Sequence, residues 1–224
     1  MISFDINSRL LYRDALMLVI DKPAGIPVHK GSGGGENLEQ YFDELRFGLP
    51  RPPALAHRLD RDTSGCLVLG RNRHGLATLG KLFEQNKIAK TYWAVVKGTP
   101  KEQEGTIDAP LAKVSERRDR WQMKADASGM PSLTEYKVLG SNGAVSWIEF
   151  MPKTGRTHQL RVHACVIGCP IIGDKIYGEA DEHGLQLHAR AIQIPLYAKK
   201  EPISVTAPVP SHMMPLLEAC GFKI

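Results

Sequence analysis

Short apolar runs bounded by turn-forming residues recur along this chain, and their spacing predicts most of its elements. Leu16 to Ile20 is a continuous apolar run broken by Lys22-Pro23-Ala24-Gly25, the pattern of a buried strand. Asn37 to Phe47 has the period of a short amphipathic helix, and Leu49-Pro50-Arg51-Pro52-Pro53 is a stiff extended connector, because proline restrains itself and its predecessor. Cys66 to Leu69 is a second buried strand. Apolar positions at Leu76, Leu79, Leu82 and Phe83 predict a helix over 74–85. Thr91 to Val96 is β-branched and aromatic and reads as a strand closed by Gly98 and Pro100.

From 102 to 132 the chain turns charged and irregular, which predicts short hairpins or a lobe. Leu133 to Leu139 and Val145 to Phe150 predict a hairpin about Gly140-Ser141-Asn142-Gly143, where Asn-Gly is a strong turn signal. Thr157 is the expected N-cap of a helix running through Val166 and ended by Gly168. Leu185 to Ile194 and Ile203 to Val205 read as strands, and Ser211 to Ala219 as a closing helix with Gly221 beyond it. Together these elements predict an α+β protein, rich in antiparallel strands with few crossover units.

At 224 residues with 42% hydrophobic side chains, the chain can build one large core with lobes. A single domain over residues 1–224 is expected, with 1–15 as a short lead-in. The four cysteines include no Cys-x-x-Cys pair, so neither a disulfide framework nor a zinc ribbon is expected. Neither a signal peptide nor a membrane-length apolar run is apparent, which makes the cytoplasm the expected location and a membrane partner unexpected. A net charge of +5 permits an anionic partner without requiring one. The run Lys30-Gly31-Ser32-Gly33-Gly34-Gly35 lacks the Gly-Lys-Ser/Thr ending of a phosphate loop and reads as a surface loop.

Three polar clusters interrupt the apolar pattern: Arg58 with Asp60, Lys90 with Tyr92, and Arg156, His158 and Arg161. His158 and Arg161 share a helix face. An arginine on an otherwise apolar helix needs an anionic partner, and Asp60 is the natural candidate. At about 4 Å and an effective dielectric near 20, such a pair has on the order of 4 kcal/mol of Coulomb attraction before desolvation. It would keep the carboxylate ionised for covalent catalysis, although a purely structural ion pair fits the same residues.

His57-Arg58-Leu59-Asp60-Arg61-Asp62-Thr63-Ser64-Gly65 resembles the signature segment of the RluA-type pseudouridine synthases. Lys22-Pro23-Ala24-Gly25, Lys90 to Gly98, Thr154 to His163, Gly173 to Gly178 and Leu187-His188-Ala189 resemble further motifs of that family, in family order. The resemblance implies the pseudouridine synthase fold, a mostly antiparallel mixed sheet with flanking helices around a central cleft. It implies isomerisation of uridine to pseudouridine in rRNA or tRNA, with the target base flipped out and with no cofactor or metal.

By the same resemblance Asp60 is the catalytic carboxylate, Tyr92 stacks on the target base and Arg161 pairs with Asp60. Arg58 is the candidate to fill the gap left by the flipped base, and Arg156 fixes a loop or a phosphate. His57, His158, Lys90 and Leu187 complete the implied substrate-binding set, while Asp62 reads as structural. Arg51, Arg71, Arg73, Lys90, Arg117, Arg118 and Arg120 are candidates for backbone contacts with RNA. Many family members carry an RNA-binding domain ahead of the catalytic one; here a bare, monomeric catalytic domain without an obligatory protein partner is expected. The alternative is a catalytically silent RNA-binding or RNA-folding factor on the same scaffold.

Overall fold

The computed structural model describes residues 5–30, 34–114 and 122–223. In chain order the strands and helices are β1 (Leu10–Arg13), β2 (Met17–Lys22), a 3-10 helix (Leu38–Leu45), β3 (Ala54–Leu55), β4 (Ser64–Gly70), α1 (Arg73–Glu84) and β5 (Ala89–Lys97). There follow β6 (Glu104–Asp108), β7 (Leu111–Lys113), β8 (Met123–Ala125), β9 (Leu133–Ser141), β10 (Val145–Pro152), α2 (Gln159–Val166), β11 (Leu187–Ile194), β12 (Ile203–Thr206) and α3 (Met214–Ala219). The expected α+β class holds. None of the described helices is long and apolar enough to cross a membrane.

The chain divides into two compact units. The first comprises residues 1–89 and 189–208. In it β2 lies between β1 and β4, all antiparallel, and Met17 to Lys22 run opposite Gly70 to Gly65. All seven residues of β4 are buried, so both of its faces meet core and its sequence shows no polar alternation. Met17, Val19, Cys66, Val68, Leu79, Ile192, Ile194 and Val205 form the core of this unit. Helix α1 begins at Asn72, whose side-chain oxygen accepts the N–H of Gly75 at 2.8 Å.

The second unit comprises residues 90–188 and 209–224. Strands β5, β10, β9 and β6 pair in that order, each antiparallel to the next. The burial of β10 alternates residue by residue, the signature of a strand with one face on a core. Ala94, Val96, Ile148, Phe150, Leu160, Ala164 and Leu187 belong to that core. The Asn-Gly turn forms as expected: Gly143 has φ 89° and the Asn142 side chain accepts the N–H groups of Ala144 and Val145 at 3.0 Å. The charged region yields β6 and the short hairpin β7–β8, while Arg117, Arg118 and Arg120 lie outside the described residues.

Helix α2 begins later than its sequence pattern suggests. The residue at its N-cap is His158, in the left-handed region at φ 54°, with no side-chain cap bond. Thr157 therefore lies one position too early to cap it. Gln159, the first residue of the helix, is buried, and its side-chain oxygen accepts the N–H of Arg156 at 3.0 Å.

Candidate active site

The signature segment runs from β3 to the start of β4, and its path is held by a lysine from β2. Lys22 is 0% exposed, and its ammonium donates to the backbone oxygens of Pro23, Arg61 and Thr63 at 2.8, 2.8 and 2.9 Å. The N–H of Gly25 donates to the same Arg61 oxygen at 3.0 Å, and the N–H of Thr63 donates to the Asp60 oxygen at 3.2 Å. The turn that carries Asp60 is thus bonded to the end of β2 at Arg61 and Thr63. Burial pulls the Lys22 amine down to about 7, opposed by the carboxylates of Asp62 and Asp60. Three carbonyl oxygens are all served only by the charged form, which has three N–H donors.

Asp60 itself is half-buried and Arg58 is exposed beside it. His57 packs into its own unit, with Nε2 accepting the N–H of Val68 at 3.0 Å and the ring stacked on Phe83 at 4.5 Å. Arg61 folds onto Asp62, Nε and Nη2 donating to its two oxygens at 2.9 and 3.1 Å. Arg71 donates to the backbone oxygens of Asp14, Arg46 and Phe47, so its guanidinium is engaged with the fold; Arg51 and Arg73 are exposed.

In the second unit β5 places Lys90 and Tyr92 two residues apart, on the same side of the strand. Lys90 donates to the Thr154 oxygen at 3.1 Å, and burial pulls its amine down to about 8. Tyr92 is half-buried and packs against the core that contains Phe150 and Leu187. Leu187 is 3% exposed, a core residue. Arg156 donates from Nε to the Pro131 oxygen at 3.1 Å, and His158 shares a hydrogen bond of 2.8 Å between Nδ1 and the Tyr177 hydroxyl.

Arg161 is 8% exposed, and its guanidinium donates from Nε and Nη2 to the two carboxylate oxygens of Asp174, both at 2.7 Å. Asp174 is 1% exposed and also accepts the N–H groups of Ile176 and Tyr177 at 2.9 and 3.1 Å. Burial alone would raise the Asp174 carboxyl, but the guanidinium and the two N–H groups outweigh it and hold it below the usual carboxylate range. The Tyr177 ring lies 5.1 Å from the guanidinium carbon, and its hydroxyl accepts the N–H of Met123 at 2.8 Å. Asp174 therefore aligns Arg161 through a bidentate, planar contact that lysine could not reproduce.

Asp174, Tyr177, Lys22 and Gln159 are the residues the sequence did not single out. A signal existed for Asp174, since a buried arginine demands a carboxylate and Gly173-Asp174 lies in a recognised motif. Lys22 also lies in a recognised motif, but its burial had no signal, because a lysine at a strand end is ordinarily a solvated side chain. Asp60 belongs to the first unit, and Tyr92 and Arg161 to the second.

The sequence model described as RNA pseudouridylate synthase matches residues 16–165. An uncharacterized RNA pseudouridine synthase of Zymomonas mobilis is 44% identical over 206 residues, covering 90% of this chain and 94% of that protein. A ribosomal large subunit pseudouridine synthase C of Buchnera aphidicola is 40% identical over 179 residues, 80% of this chain and 57% of its own. Among solved structures, human RNA pseudouridylate synthase domain containing 4 superposes with a TM-score of 0.81 at 26% identity, covering 98% of this chain and 95% of that one.

Proposed function

The chain belongs to the RNA pseudouridylate synthase family, and from that premise we propose that it acts on specific uridines of structured RNA, in 23S rRNA, tRNA or both, with Asp60 as its catalytic carboxylate. The reaction breaks the N-glycosidic bond of uridine and joins the ribose carbon to carbon 5 of the same base. Carbon 5 loses a proton and the freed ring nitrogen ends protonated, so substrate and product are isomers and no electron or group donor enters.

In this reading Asp60 works with Tyr92 stacked on the base and Arg161 paired to its carboxylate. Unstacking the target costs a few kcal/mol, and the exposed Arg58 is assigned to fill the vacated space. Arg156 and His158 lie in the turn 154–158, Lys90 donates to its Thr154 oxygen, and these residues are assigned to contact the RNA. The reading also takes the enzyme as a cytoplasmic monomer with RNA as its partner. The observation that carries it is the family match itself, whose span includes Asp60, Tyr92 and Arg161. Support for a ribosomal substrate comes from the Buchnera relative's name. The bonded Asp60 turn and the bidentate alignment of Arg161 are the preorganisation that such chemistry needs.

The test is tritium release from 5-tritiated uridine in RNA from a strain lacking the gene, with an active family member alongside. Release is expected from the wild type. Asp60→Asn is expected to abolish it while RNA binding persists. No release from rRNA or tRNA by the wild type would overturn the reading, and full release by Asp60→Asn would remove Asp60 from the chemistry.

A further inference from the structure

Behind the turn 154–158 lies a buried polar chain that no part of the reaction uses directly. Gln159, Thr134 and His163 are 4%, 0% and 0% exposed. Gln159 Oε1 accepts the Thr154 hydroxyl at 2.7 Å and the Arg156 N–H at 3.0 Å. Its Nε2 donates to the Leu133 oxygen at 3.0 Å and to the Thr134 hydroxyl oxygen at 2.9 Å. His163 closes the chain, with Nδ1 at 2.9 Å from the Thr134 hydroxyl and Nε2 at 3.0 Å from the Ala109 oxygen.

A backbone N–H at one end of the amide and a carbonyl oxygen at the other permit only one orientation of Gln159. The Ala109 carbonyl can only accept, so His163 carries its proton on Nε2. Burial disfavours a second proton on the ring, so Nδ1 accepts from the Thr134 hydroxyl, which itself accepts from Gln159. Burial lowers the His163 imidazole from its ordinary value, with the Ala109 carbonyl and the Asp108 carboxylate opposing, which agrees with a neutral ring.

We infer that Gln159 is the positioning residue of the substrate-contacting turn: through the buried chain ending at His163, it fixes the main chain of Arg156. This rests on the reading above in which Arg156 contacts RNA. The turn is otherwise built from Gly155 and a left-handed His158, a path with little intrinsic preference. A saturated buried amide supplies the rigidity that local propensity does not.

The test has two arms on the full-length protein. In nitrogen-15 spectra, the His163 ring is expected as the neutral Nε2–H form at pH 7, independent of any substrate. A protonated ring, or a proton on Nδ1, overturns the chain. In steady-state kinetics on RNA, Gln159→Met, which keeps length and loses all four bonds, is expected to raise KM about tenfold with kcat within about threefold. Gln159→Glu keeps the acceptor oxygen for Thr154 and Arg156 but sets its second oxygen against the Leu133 carbonyl oxygen, so its KM is expected between those of wild type and Gln159→Met. Arg156→Ala combined with Gln159→Met is expected to cost no more than Arg156→Ala alone, because both act through one contact. Equal KM for Gln159→Met and Gln159→Glu in folded proteins, or additive losses in the double variant, overturns the positioning role. Failure of the pseudouridine synthase reading would instead appear as absent wild-type turnover, with the histidine signal still deciding the chain.

Discussion

Asp174 shows how much one buried carboxylate controls. It accepts two guanidinium N–H groups and two backbone N–H groups in a site that solvent barely reaches. Asp174→Asn leaves the Arg161 charge without this partner, and breaking a buried pair of this kind costs about 3 to 5 kcal/mol. The sign of the pH dependence follows from the depressed carboxyl. Its stabilisation is fully present above the unfolded value, about 3.9, and is lost as pH falls through the lower folded value. Urea unfolding at pH 6 and again at pH 3 is therefore expected to show the wild type losing more stability on acidification than Asp174→Asn. Equal losses would show that the pair does not couple to folding. The identity of Asp60 was legible because its motif is dense and ordered. That of Asp174 was not, because a lone aspartate in a loop takes its meaning from the arginine that tertiary folding brings to it.

Among the elements, β4 shows what a local pattern can and cannot express. Its apolar run marked it as a buried strand, and burial of all seven residues agrees. The run did not reveal that Gly65, its second residue, has φ 104° or that an added Cβ there would lie 2.3 Å from the Ala189 oxygen. Both the dihedral and the close approach exclude a side chain. Gly65→Ala is expected to lower stability by about 2 kcal/mol or more, and to loosen the turn that Lys22 holds just before it. A thermal melt indistinguishable from wild type would remove this constraint. The hairpin of β9 and β10 was readable because an Asn-Gly turn carries its own geometry. The start of α2 was not, because its N-cap residue His158 is left-handed and makes no side-chain cap bond, so the usual capping signal is missing there.

For the molecule as a whole, the net charge of +5 is consistent with an RNA partner but distributes no roles. Of the candidate RNA contacts, Arg71 is engaged by three backbone oxygens, whereas Arg51, Arg58 and Arg73 stand exposed. If about four phosphates are neutralised, binding is expected to weaken with a log-log salt slope of roughly −3 to −4. Charge removal at Arg51 or Arg73 is expected to flatten that slope by just under about one where the side chain meets a phosphate. Arg71→Ala is expected to lower stability more than it changes the slope. Fluorescence titrations of an rRNA fragment across potassium chloride concentrations measure all three. A slope near zero for the wild type would remove the electrostatic footprint.

By itself the sequence determined the α+β class, most strands and hairpins, the family, and the identity of the residues proposed for catalysis. These are encoded locally, in apolar period, turn chemistry and short ordered motifs, and need no knowledge of distant neighbours. Tertiary structure decided what holds those residues: Lys22 under the Asp60 turn, Asp174 against Arg161, and Gln159 with Thr134 and His163 behind the turn 154–158. Each is a polar group whose desolvation is offset only by partners remote in sequence. Such pairing has no period to read, because it arises when folding brings separate elements to one place.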